Sequence, residues 1–277
     1  MNPETIALIT LSAEGEKLLV PLVAALPGAR LYVHESIRSA STGEAPGPGA
    51  AKRFSRIADL TASLFPVCRG LVYAAPCGVV VRALAPLIRS KHEDPAVVVV
   101  DAGGRWAVSL LSGHEGGANS LAIGVANLLG AEPVITTTTE ALKSVIVGVG
   151  CRRGTAAERI VAAVQKALAD AGIVLEEVRL LASADVKAHE AGLRDAADVL
   201  GVPIRFIAAA EIRTCLRDFS HSDFVKEKVN LPAVAEPAAL LAGRRTRLIC
   251  RKKRINGITI ALARESFSWS ESAPEAP

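Results

Sequence analysis

The run Val97-Val98-Val99-Val100, followed by Asp101-Ala102-Gly103-Gly104-Arg105 and then Trp106-Ala107-Val108-Ser109-Leu110-Leu111, decides the fold. Four consecutive β-branched residues offer no polar face, the pattern of a strand covered on both sides in an α/β sheet. The Gly103-Gly104 pair predicts a hairpin into a strand over 106–111. Downstream, the spacing predicts a helix over 117–129 and a strand over 133–137. Upstream it predicts strands over 6–11, 31–34 and 70–75, with helices over 14–26, 51–64 and 79–88. Pro27-Gly28 stops the first helix, and the glycines and prolines of 36–50 mark a loop.

A second series begins at Ser144, with strands over 145–149, 178–182 and 204–207 and helices over 155–171 and 189–200. Short helices follow over 209–216, 222–229 and 236–241, then strands over 247–252 and 258–263 joined by Asn256-Gly257. Both residues of that pair tolerate positive φ, so a tight hairpin is expected. The fold class is therefore α/β, with two domains, each a mostly parallel sheet flanked by helices. The domains run over 1–142 and 143–265, and the polar stretch 266–277 is expected to be a disordered tail.

Of the 277 residues, 50% are hydrophobic and 4% aromatic, enough aliphatic material for two cores. No apolar run reaches the roughly 20 residues of a membrane span, and Met1–Thr10 lacks a signal-peptide pattern, so a cytoplasmic location is expected. The five cysteines, Cys68, Cys77, Cys151, Cys215 and Cys250, are odd in number and contain no C-x-x-C pair. They read as reduced, mostly buried thiols, without a disulfide framework or a thiolate metal site. A net charge of +4 is too mild to imply nucleic acid, and a membrane partner is not expected either. It fits a small ligand carrying several carboxylates.

Three loops carry candidate chemistry, each after a strand and before a helix, where open α/β sheets bind ligands. In Leu111-Ser112-Gly113-His114-Glu115-Gly116-Gly117-Ala118-Asn119, glycines let backbone N–H groups approach a ligand beside an imidazole and a carboxylate. The bland alternative is a glycine-rich turn with a solvated His-Glu pair. Gly148-Val149-Gly150-Cys151-Arg152-Arg153-Gly154-Thr155 has G-x-G-x-x-x-G spacing, one residue longer than the dinucleotide fingerprint. The acidic residue such a site wants is also misplaced, so a nicotinamide-dependent reductase is disfavoured. An anion-binding loop remains, against two solvated arginines as the alternative. Ala182-Ser183-Ala184-Asp185-Val186-Lys187-Ala188-His189-Glu190 offers Lys187 to a carboxylate, while Glu190 reads equally as a helix cap. Ser220-His221-Ser222-Asp223-Phe224-Val225 and Val234-Ala235-Glu236-Pro237-Ala238-Ala239-Leu240 read as ordinary helix starts. Pro76-Cys77-Gly78 reads as a turn with a buried structural thiol, and the arginines and lysines of 244–254 as a charged sheet edge.

Taken in order, these motifs resemble the CbiG family, cobalt-precorrin 5A hydrolase of anaerobic cobalamin biosynthesis. The amino-terminal likeness lies in 70–139, above all in the 111–119 loop and Pro133-Val134-Ile135-Thr136-Thr137. The carboxy-terminal half is similar to the small cobalamin-pathway protein CobE, through 148–155, 182–190, 222–225 and 234–240. The resemblance implies a hydrolase acting on carbon-carbon bonds: water opens a six-membered lactone and a two-carbon fragment leaves as acetaldehyde. Cobalt is carried by the substrate, so no cofactor and no protein metal site are expected. The expected partners are the cobalt-corrinoid substrate and other cobalamin-pathway enzymes. On that reading His114 is the base and Glu115 orients it, and Gly116 and Gly117 supply N–H donors. Arg152, Arg153 and Lys187 hold carboxylates, with Asn119, Gly150, Gly154, Glu190 and Glu236 completing the substrate-binding set. Family members carry a middle segment between the two domains, and here Thr139 runs almost directly into the strand at Val145. That departure motivates the rival reading, a non-catalytic corrinoid-binding protein that protects or passes on an intermediate.

Overall fold

A computed structural model describes residues 5–37, 51–220 and 230–266. Most of the expected 36–50 loop, the helix over 222–229, the motif beyond Ser220 and the tail past residue 266 lie outside the described residues. The chain divides into two compact units, one ending at Thr137 and the other starting at Thr138.

The first unit is built on β1 (Ile6–Thr10), β2 (Ala29–His34), β3 (Lys52–Phe54), β4 (Gly70–Ala74), β5 (Ala96–Val100), β6 (Trp106–Leu111) and β7 (Glu132–Val134), ordered β3-β2-β1-β4-β5-β6-β7. Its helices are α1 (Ala13–Ala25), α2 (Ile57–Leu64), α3 (Cys77–Leu84) and α4 (Ala118–Leu129). Strand periodicity assigns the layers. Ile6 and Leu8 face Leu19 and Leu22 of α1 and Val125 of α4, while Ala7 and Ile9 face Leu64, Val80 and Leu84 on the other side. All five residues of β5 are buried, as its unbroken valines require. Each fully buried Leu or Val contributes roughly 1.5–3 kcal/mol.

Two expectations change here. The helix expected over 51–64 is shorter, because Lys52–Phe54 pairs in parallel with β2 as a short edge strand. Lys52 and Arg53 remain exposed there while Phe54 is buried, a pattern an edge strand tolerates. The second change concerns direction. β6 runs antiparallel to β5, with Leu111 opposite Val97, the second residue of β5. The 111–119 loop therefore lies at the end of the sheet where β1, β4 and β5 begin, not at their carboxyl ends.

The second unit carries α5 (Thr138–Ala141), α6 (Ala157–Asp170), α7 (Ala191–Leu200), α8 (Ala209–Arg213) and α9 (Ala235–Leu241). Its sheet contains β8 (Val145–Gly150), β9 (Val178–Ala184), β10 (Ile204–Ile207), β11 (Thr246–Ile255) and β12 (Ile258–Glu265), ordered β10-β9-β8-β12-β11. β8, β9 and β10 run parallel, and the closing hairpin adds two antiparallel pairings. Asn256 and Gly257 both have positive φ, 50° and 84°, as the Asn-Gly signal predicts. Val145, Val147 and Val149 pack on α6 and α7, while Ile146 faces α9. β11 is an outer strand with two register irregularities, and Arg247, Arg251, Lys253 and Arg254 stand exposed along it.

Candidate functional site

The 111–119 loop is folded back on the first turn of α4. Ala118 N–H donates to the Ser112 carbonyl at 3.1 Å and Asn119 N–H to the Gly113 carbonyl at 2.9 Å. A Cβ at Gly116 would fall 2.4 Å from Ser112 Cβ and 3.1 Å from the Asp94 carbonyl, so only glycine fits. Gly117 holds φ at 83° to open the helix. Among the described residues the N–H groups of Gly116 and Gly117 make no hydrogen bond. His114 and Glu115 form the exposed tip. Glu115 is paired with Lys91, Nζ to Oε1 at 2.6 Å, and this hydrogen bond holds its carboxyl below the ordinary range. The partner that orients Glu115 is thus Lys91, a residue absent from the sequence-based reading. The Asn119 side chain is buried, accepts from Ser109 Oγ at 2.8 Å and donates to Thr137 Oγ1 at 2.9 Å, which ties β6 to the following loop.

In the second unit the loop after β8 and the turn after β9 meet. Gly154 N–H donates to Glu190 Oε2 at 2.9 Å, Lys187 Nζ lies 3.5 Å from Glu190 Oε1, and Arg153 Nε lies 3.9 Å from the same oxygen. Three groups expected to hold a substrate carboxylate are gathered on a carboxylate of the chain itself. The Gly154 N–H bond leads the interactions that depress the Glu190 pKa. Glu190 is the N-cap residue of α7, where the helix-cap alternative places it, but its side chain makes no cap hydrogen bond and accepts from Gly154 N–H instead. Arg152 is exposed, and Gly150 closes β8 opposite Thr259. α7 comes this close because Gly192 abuts the loop: a Cβ there would fall 2.0 Å from the Thr155 carbonyl.

Two predictions follow from this cluster. A depressed carboxylate pKa in the folded state adds stability that is present above the unfolded value and is lost as pH falls. Glu190 therefore contributes in full above its ordinary 4.5 and progressively less as pH drops below it. Glu190→Gln should flatten that part of the thermal midpoint–pH curve, and an acid limb identical to wild type would refute the assignment. Gly192→Ala forces α7 away from the loop and should cost roughly 1–3 kcal/mol in urea unfolding. A change below about 0.5 kcal/mol, the size of an ordinary surface substitution, would show that the helix yields freely.

Glu236 has its own internal partners. It is fully buried, and its carboxylate accepts from Ser220 N–H at 2.5 Å, Lys252 N–H at 2.7 Å and Ser220 Oγ at 3.3 Å. The carboxylate pins the segment before α9 to β11.

One feature escapes sequence reading. At the carboxyl ends of β1, β4 and β5 lies a cavity of about 500 Å³, lined by Ser12, Ala75, Cys77, Asp101, Trp106 and Val108 among others. Strand order reverses between β1 and β4, the place where such sheets bind ligands. Cys77 is exposed at the first turn of α3, contrary to its reading as a buried thiol. Of the five cysteines only Cys68 is buried, so the expectation of mostly buried thiols fails. Among the described residues no group of three or more His, Cys, Asp or Glu could hold a metal ion, and no helix is long and apolar enough to cross a membrane.

Two α/β units, each with a glycine-bearing strand-to-helix loop, define the class of protein. The family model described as Cobalamin synthesis G N-terminal matches residues 59–140, and Cobalamin synthesis G C-terminus matches 145–263. The chain belongs to the CbiG family. It is 41% identical over 140 residues to a cobalt-precorrin-5A hydrolase of Salmonella typhimurium, covering 50% of this chain but only 37% of that protein. A cobalt-precorrin-5A hydrolase of Priestia megaterium is 25% identical over 302 aligned positions, covering 74% of this chain and 80% of the relative. That alignment is longer than this chain, so the relative carries sequence that this chain lacks. Protein CobE of a Sinorhizobium species is 39% identical over 128 residues, covering 46% of this chain and 83% of its own length.

Proposed function

We propose that this protein opens the lactone of cobalt-precorrin 5A with water, with release of acetaldehyde, in cobalamin biosynthesis. The observation that carries this reading is the loop before α4, where an exposed imidazole stands beside two unpartnered backbone N–H groups. Hydrolysis of a cyclic ester needs a base for water and donors for the oxyanion that forms at the carbonyl. His114 takes the water proton, and Gly116 and Gly117 face the carbonyl oxygen. The acyl C–O bond breaks, leaving a carboxylate on the ring arm and a hydroxyl on the two-carbon bridge. That hydroxyl loses its proton, the bond to the ring breaks with its electron pair returning to the macrocycle, and acetaldehyde leaves. The second unit, taken by itself, offers an anion site: Arg152 is exposed, and Arg153, Lys187 and the Gly154 N–H can exchange Glu190 for an external carboxylate. The cobalt enters with the substrate. Incubating the purified chain with cobalt-precorrin 5A and assaying acetaldehyde tests the reading.

A second reading, binding and transfer of a corrinoid intermediate without turnover, is favoured by one observation. Only four residues separate the two family matches. Tight binding of the corrinoid with no acetaldehyde would select it.

A further inference from the structure

Between β1 and β4 the chain leaves the sheet in two directions. From β1 it passes through α1 to β2, and from β4 through α3 to β5, and β2 and β5 lie on opposite sides of the β1–β4 pair. α1 packs on the face that carries Leu8, and α3 on the face that carries Ile9. Connections that part in this way open a crevice at the carboxyl ends of the two strands. The cavity of about 500 Å³ lies there, with Leu11 and Ser12 after β1 and Ala75, Pro76 and Cys77 after β4 in its lining. Pockets that enclose a small molecule span about 300–1,000 Å³.

The lining selects the kind of molecule that fits. Leu11, Ala74, Ala75, Val99, Val108 and Val134 give apolar walls, and Trp106, 43% exposed, adds an aromatic surface. A flat ring suits such walls, because aromatic pairs gain from stacking beyond the area they bury. Asp101 is the one charged residue among the lining residues, and its carboxylate is already engaged. It accepts from the N–H groups of Gly103, Arg105 and Trp106 and from Arg105 Nε, at 2.7–3.2 Å. The polar groups left over are donors. Ser12 Oγ accepts from Gly15 N–H at 3.0 Å and keeps its own proton, and Cys77 offers an exposed thiol. Among the described residues the N–H groups of Cys77 and Gly78 also lack partners. The polar end of a ligand here is therefore an acceptor oxygen. A molecule rimmed with several carboxylates would meet no lysine, arginine or histidine among the described lining residues.

We propose that this crevice is a second ligand site, one that takes a planar aromatic molecule ending in a single carboxylate. The ring lies against the apolar walls and Trp106, and the carboxylate faces Ser12 and Cys77. The site is independent of the lactone chemistry, since the His114 loop lies at the opposite end of the same sheet.

The test uses the full chain and the rate at which iodoacetamide alkylates Cys77, read by peptide mass spectrometry. The probe is 2-naphthoate. At ten times its half-saturating concentration it should slow Cys77 alkylation about tenfold, by mass action, and leave Cys151, Cys215 and Cys250 at their own rates. The cation 2-naphthylmethylammonium has a similar shape and should protect little. Benzenehexacarboxylate, with six carboxylates, should not protect at all. Trp106→Ala should raise the half-saturating concentration of naphthoate roughly 2- to 10-fold, and Trp106→Phe should restore most of the affinity. Trp106 is exposed, so neither change empties a core position. Absence of protection in the wild type, equal slowing of all the cysteines, or equal protection by the cation or the hexacarboxylate would overturn the proposal. Unchanged half-saturation in Trp106→Ala would overturn it as well.

Discussion

Replacing His114 with alanine should lower acetaldehyde release from cobalt-precorrin 5A by roughly 100- to 10,000-fold, with the thermal midpoint unchanged. His114 sits at the exposed tip of its loop, so its removal opens no cavity and strands no buried partner. Exposed substitutions of this kind usually stay within about 0.5 kcal/mol. The loop is fixed by the Ala118 and Asn119 N–H bonds and by the tight seat of Gly116, none of which involves the imidazole. Loss of turnover in a fully folded variant therefore reports on chemistry. Glu115→Gln should have a smaller effect, because Glu115 is engaged by Lys91. Wild-type rates in His114→Ala would move the base elsewhere.

Glu236→Ala should destabilise the second unit by roughly 3–5 kcal/mol. Removal of the fully buried carboxylate leaves the N–H groups of Ser220 and Lys252, both half-buried residues, without their acceptor. Each stranded donor costs about 1–3 kcal/mol, and the emptied space adds to that. Glu236→Gln retains one acceptor oxygen and should recover about half of the loss. Urea unfolding is the measurement, with a lower midpoint and an unchanged slope expected for the transition of the second unit. A loss under about 1 kcal/mol, the net worth of one ordinary hydrogen bond, would mean that the carboxylate holds little of the fold and is free to meet a ligand.

The elements were largely legible because burial on both faces writes itself into composition, as in Val97–Val100 and Val145–Val149. Lys52–Phe54 was not, since three residues with two exposed charges carry no usable period. The strand-to-helix loops stood out through their glycines, but the contacts inside them did not. Nothing in the spacing shows that Glu190 folds onto Gly154, or that Lys91, 24 residues away, reaches Glu115. The Gly103-Gly104 hairpin already implied that β6 reverses. Its bearing on His114 emerges only when strand order is known. Glu236 offered a hint: it is embedded in Val234-Ala235 and Pro237-Ala238-Ala239-Leu240, an apolar setting in which an unburied carboxylate would be the surprise. The cavity had no signature, because Ser12, Cys77, Asp101 and Trp106 come from four separate strand ends.

The outer strand β11 bears on how copies of this molecule behave when crowded. A second copy adding its own β11 along this border would bring Arg247, Lys253 and Arg254 near like charges, and the two register irregularities would spoil the ladder. Repulsion between exposed charges reaches about 10 Å at 0.1 M salt and about 3 Å at 1 M. The barrier to such edge-to-edge pairing is therefore partly ionic, set by the buffer, and partly geometric, and only the geometric part survives in concentrated salt.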